Sequence, residues 1–154
     1  MKQLILSIAL VITGIVLHAQ DDAALRTKHF NLDKGIALSG YDAVAYMKQS
    51  KAVKGSKDFT SNYNGVTYYF ATAADRDEFN RTPAMYEPQY GGWCAYAMGK
   101  KGEKVSIDPS TFKIVNGKLY LFYNKYFNNT LTDWNKDEAN LKTKADANWQ
   151  KLYH

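Results

Sequence analysis

One cysteine, Cys94, stands four residues before a methionine, Met98, in the run Tyr86-Glu87-Pro88-Gln89-Tyr90-Gly91-Gly92-Trp93-Cys94-Ala95-Tyr96-Ala97-Met98. A thiolate and a thioether are soft donors that favour Cu(I). Residues four apart share a helix face, so the two sulfurs could clasp one copper ion, with His29 or Met85 as a third donor. The same residues also read as core. A free cysteine behaves as a small hydrophobe, and methionine fills gaps. A second chemistry lies in the rings. Tyr41, Tyr90, Trp93 and Tyr96 could line a concave site for a small organic ligand or a protein partner, with Asp42 as a polar contact. The competing reading is that Gly91-Gly92 lets the backbone pass close to packed rings.

Catalysis finds less support. A nucleophilic cysteine needs a base or electropositive surroundings to lower its pKa. Beyond residue 19 the histidines are His29 and His154, and neither lies in a Cys-His motif. No Gly-x-Ser-x-Gly, His-Glu-x-x-His or phosphate-binding glycine loop appears. Asp21-Asp22, Asp75 with Asp77 and Glu78, and Asp137-Glu138 read as solvated helix starts or faces. The expectation is a binding module rather than an enzyme.

Lys2, the mostly apolar run from Leu4 to Leu17, and Leu17-His18-Ala19 have the layout of a signal peptide over 1–19, cleaved near Ala19. That predicts a secreted or periplasmic protein. The run is shorter than the about 20 apolar residues that span a bilayer, and no later stretch predicts stable membrane insertion. Exported proteins usually pair their cysteines or lose them, which makes a lone Cys94 notable. The formal net charge is +5. Its lysines are scattered among acids, and the tightest cluster is Lys100-Lys101 with Lys104. This argues against nucleic acid as a partner and suits weak attraction to anionic lipid or polysaccharide.

The elements that must position these groups follow from local patterns. Residues 20–37 are polar and read as a loosely held N-terminal arm, with one domain over 38–154. Asp42 can cap a helical turn carrying Val44, Ala45 and Met47. Asn64-Gly65 between Phe59–Tyr63 and Val66–Phe70 predicts a hairpin with a type I′ turn. Thr72 with Asp75 predicts a capped helix over Ala73–Arg81, stopped by Pro83, with Phe79 facing the hairpin. Trp93 to Met98 fits a helical turn or an extended piece. Asn116-Gly117 predicts a second hairpin over 112–123. Leu131 and Trp134 suggest a short helix. Leu141, Ala145, Trp149 and Leu152 form the apolar stripe of a C-terminal amphipathic helix. The fold class is α+β: a small antiparallel sheet built from two β-hairpins, with helices packed on it. The 12 Tyr, 7 Phe and 3 Trp supply buried area to a small core.

Gly40-Tyr41-Asp42-Ala43-Val44-Ala45-Tyr46, Tyr63-Asn64-Gly65-Val66-Thr67-Tyr68-Tyr69-Phe70 and Phe79-Asn80-Arg81-Thr82-Pro83 with Tyr86 resemble the YHS domain family. Pro88 to Tyr96, Asp108-Pro109, Asn116 to Leu121 and Ala145-Asp146-Ala147-Asn148-Trp149 resemble its secreted bacterial branch. The resemblance covers residues 38–152. Metal-associated members carry three cysteines at the positions held here by Ala45, Ala71 and Ala74. A structural zinc site needs about four N or S ligands, so the resemblance implies no such site in this chain.

Overall fold

Turn chemistry sets the strand pairing in the computed structural model, which describes residues 22–153. The leader over 1–19, its cleavage point at Ala19, and His154 lie outside the described residues. Strands β1 (Leu32–Asp33), β2 (Ile36–Ala37), β3 (Ser56–Tyr63) and β4 (Val66–Phe70) form one sheet in the order β1-β2-β4-β3. Strands β5 (Asp108–Val115) and β6 (Lys118–Phe122) form a second, and β7 (Asn124–Lys125) with β8 (Asn128–Asn129) a third. Asn64 and Gly65 have φ of 45° and 81°, and Asn116 and Gly117 have 51° and 70°. Both central residues of a type I′ turn need positive φ, so the two expected hairpins form as read. They stand in different sheets, and β2 runs parallel to β4 through Ile36 opposite Thr67.

Six helices accompany the strands among the described residues: α1 over 22–29, α2 (Ala43–Gln49), α3 (Ala73–Arg81), α4 (Ala95–Lys101), α5 (Thr130–Lys136) and α6 (Glu138–Tyr153). Their starts follow the side chains before them. Asp42 accepts from the amides of Val44 and Ala45, Thr72 from Asp75, and Asn129 from Leu131, each satisfying an N-terminal donor the helix leaves open. The fold is α+β, with a C-terminal helix carrying the expected stripe: Leu141 and Ala145 are buried, and Trp149 and Leu152 pack beside them.

The stretch read as a loose arm is corrected by the structure. Residues 22–37 form α1 and the β1–β2 hairpin, and both join the folded body. Arg26 of α1 is buried, forms a two-pronged ion pair with Glu87, and donates through Nε to the carbonyl of Asn64 at 3.2 Å. Its guanidinium lies 4.6 Å from the Phe30 ring centre and 5.0 Å from that of Tyr63. A polar composition concealed this, because one buried arginine with a partly buried partner anchors a helix that few apolar residues would hold.

Two apolar clusters make the core among the described residues. One gathers Tyr46, Tyr68, Phe70 and Phe79 between the four-stranded sheet, α2 and α3. Phe79 faces the hairpin as expected, 4.7 Å from Tyr68 and 5.0 Å from Phe70 between ring centres. The other gathers Met98, Tyr120, Phe122, Trp134 and Leu141 where α4, α5 and α6 cover β6. α4 and α6 touch most closely at Gly99, where a Cβ would lie 2.4 Å from the Leu141 carbonyl oxygen. No side chain larger than hydrogen fits there.

Candidate functional site

Cys94 sits at the junction that joins α4 to β6. Gln89–Gly92 form a short 3-10 turn in which Tyr90, Gly91 and Gly92 all take positive φ. A Cβ on Gly91 would stand 2.8 Å from the Phe30 ring and 2.9 Å from Trp149. Close passage of backbone past packed rings therefore explains the glycine here. The chain then pairs with β6 at Cys94 and Leu121, the Cys94 amide donates to the Val105 carbonyl at 2.9 Å, and α4 begins.

The thiol is fully committed. The Tyr123 amide donates to its sulfur at 3.3 Å. The Thr130 hydroxyl donates to the Tyr123 carbonyl at 2.9 Å, and Cys94 Sγ lies 3.4 Å from that hydroxyl oxygen. A hydroxyl has a single proton to give, so the S–H donates to Thr130. The result is a closed ring of three hydrogen bonds tying α4, the end of β6 and α5 together. Cys94 has 0% exposure.

The donors named from the sequence for copper have different surroundings. Met98 belongs to the other core cluster, among Tyr120, Phe122 and Trp134. His29 ends α1, where its Nδ1 meets Lys104 Nζ at 3.1 Å and its ring lies edge-on to Tyr153. Burial, then the Lys104 and Lys28 charges, push its pKa down. Met85 is exposed on the turn after α3. Among the described residues, no three His, Cys, Asp or Glu side chains gather around one point.

Of the rings, Tyr90, Trp93 and Tyr96 belong to or pack against the second apolar cluster, and Tyr41 packs against the first. Tyr41 lies beneath Lys54, with Nζ 4.7 Å from the ring centre. Asp42 is buried as a cap, accepting from three amides, those of Val44, Ala45 and Ala71, and offers nothing to a ligand. Tyr90 is buried and donates to Asp146 at 2.8 Å; burial, reinforced by that carboxylate, pushes its pKa up. Trp93 donates through Nε1 to the His29 carbonyl at 2.7 Å. Only Tyr96 stands on a cavity shared with Cys94.

That cavity has a volume of about 290 Å³. Cys94, Tyr96, Ala97, Val105, Tyr123 and Thr130 make its floor and walls, and the exposed Lys100, Lys101, Glu103 and Asn128 stand at its rim. It is near the lower end of ligand clefts, roughly 300–1,000 Å³, and shares their apolar lining with a few polar groups. A more polar cavity of about 430 Å³ lies between Tyr90, Glu87, Asp146 and Trp149. A third, of about 310 Å³, lies over Gly40, Lys54 and Tyr69. Sequence reasoning located Cys94, Tyr96 and the Lys100-Lys101 pair. It missed Tyr123 and Thr130, which reach Cys94 from 29 and 36 residues away with no local signal. Comparison with protein-family models, with curated proteins and with solved structures found no match for this chain.

Proposed function

We propose that this chain is an exported, non-enzymatic YHS-type module that binds a small amphiphile, an apolar body with an anionic end, in the cavity over Cys94. One observation supports the reading above the others: apolar walls of Tyr96, Ala97, Val105 and Tyr123 end at a rim carrying Lys100 and Lys101. Apolar surface favours the body of such a ligand, and an ammonium group attracts its carboxylate or phosphate. Glu103 on the same rim disfavours a second negative charge. Cys94 serves as a structural clasp.

The test is thermal unfolding in chelator with octanoate, decanoate and octylamine. The carboxylates raise the midpoint with concentration, by about 2.7 kcal/mol of stability at a hundredfold excess over Kd, and the amine does not. Ala97→Trp fills the cavity and removes the effect. The soft-metal reading makes the opposite prediction: Cu(I) stabilises the chain near one equivalent, Cys94→Ala abolishes uptake, and the carboxylates do nothing. That outcome would replace the present reading.

A further inference from the structure

Four two-residue turns link paired strands among the described residues. Three end on glycine: Lys34-Gly35, Asn64-Gly65 and Asn116-Gly117. The fourth, between β7 and β8, is Tyr126-Phe127, with φ of 53° and 63°. Left-handed backbone is strained for a bulky side chain and nearly free for glycine. Packing within the chain does not offset that strain, because Tyr126 is 89% and Phe127 110% exposed. Two rings are therefore held in water by a turn that disfavours them.

Their surroundings are basic. Lys125 precedes the rings, and Asn128 just after them shares the cavity rim with Lys100 and Lys101. None of these three lysines is in an ion pair among the described residues. Glu103 is the carboxylate on that rim. We infer that the β7–β8 tip docks on an anionic bilayer surface: Tyr126 and Phe127 dip into the interfacial layer while Lys125, Lys100 and Lys101 lie over the headgroup phosphates. Aromatic side chains settle at the boundary between headgroups and acyl chains. Lysines beside them add salt-sensitive attraction to anionic lipid. A second copy of the chain suits this tip less well, because two-fold pairing would bring like charges together. Two rings and three lysines give reversible attachment, and no helix among the described residues is long and apolar enough to cross a membrane. The inference does not depend on the cavity ligand.

The test uses the chain from Gln20 in co-sedimentation with vesicles of phosphatidylcholine alone and with about 30 mol% phosphatidylglycerol. The anionic vesicles capture the protein, and capture falls as salt screens the lysines. Tyr126→Asn with Phe127→Gly recreates the turn used at Asn116-Gly117, so this variant folds at least as well. It loses about tenfold or more in partition. Lys125→Ser weakens binding and flattens its salt dependence. Equal capture of the wild type and the double variant overturns the inference. So does absence of capture, or self-association in sedimentation velocity that the double variant abolishes without any vesicle binding.

Discussion

The two ends of this molecule use the same residue types to opposite ends. Around α1, β4 and α3, a charge and its rings are sealed together. Arg26 lies between Phe30 and Tyr63, Glu87 accepts from both Arg26 and Tyr68, and Asp42 accepts three amides. Around α4 and β7–β8, Tyr126 and Phe127 project and the nearby lysines have no ion-pair partner among the described residues. The first arrangement derives stability from desolvated partners. The second gives stability up at its turn and leaves groups available for contact with something else. Stability and recognition are thus assigned to different regions, and substitutions at the two ends should move different measurements.

The largest effect should come at the sealed end. Arg26→Ala strands Glu87 among Tyr68 and the sheet, and should cost about 3–5 kcal/mol in urea unfolding. A loss well under 1 kcal/mol would erase the contrast between the ends. Asp42→Asn comes next. Its amide can keep one acceptor for α2 but turns a donor toward the Ala71 amide, for about 1–3 kcal/mol. Its pH dependence is the sharper readout. Burial pushes the Asp42 carboxyl above its ordinary pKa, against the pull of the backbone amides. The native state therefore holds this proton more tightly than the unfolded chain. Wild-type stability from this group falls as pH rises from the ordinary aspartate value through the raised one. The gap between wild type and Asp42→Asn should accordingly widen in acid.

At the open end the sign reverses. Tyr126→Asn with Phe127→Gly should stabilise the chain by about 1–2 kcal/mol, by relieving left-handed backbone at two bulky residues. A destabilised variant would mean that the rings support the fold. The smallest effect belongs to the partly exposed Lys113–Glu138 pair, 2.6 Å apart. The hydrogen bond from Lys113 holds the Glu138 carboxyl below its ordinary pKa. That contribution is present above the unfolded value and fades as pH falls through the folded one. Glu138→Gln should cost about 0.5 kcal/mol at neutral pH, and its gap from wild type should narrow in acid, opposite to Asp42→Asn.

These contrasts also mark how far local chemistry can be read. Asp42, Thr72 and the two Asn-Gly turns announce themselves, because each solves a backbone problem within four residues of itself. The α3 helix follows from its cap and from Pro83 in the same way. The α1 helix and the β2–β4 pairing were not legible, since Arg26 depends on Glu87, 61 positions away, and Ile36 on Thr67. The Tyr126-Phe127 turn was invisible for another reason: it contains none of the residues that favour its own backbone. At the candidate site, Cys94 stood out by being single. Its partners did not, because Tyr123 offers only a backbone amide and carbonyl, and the Thr130 hydroxyl lies within an ordinary helix start.

The three-bond ring around Cys94 bears on how a chain with one cysteine would fare if it met oxidising surroundings. A lone sulfur can cross-link two molecules only while a disulfide or oxidant can approach it. Once α5 has docked against β6, the sulfur is buried and already has both its partners. The hazard is then confined to newly made polypeptide, before Thr130 arrives. Yield of monomer on refolding should depend on whether docking outruns oxidation, and a mild reductant should help only during that interval.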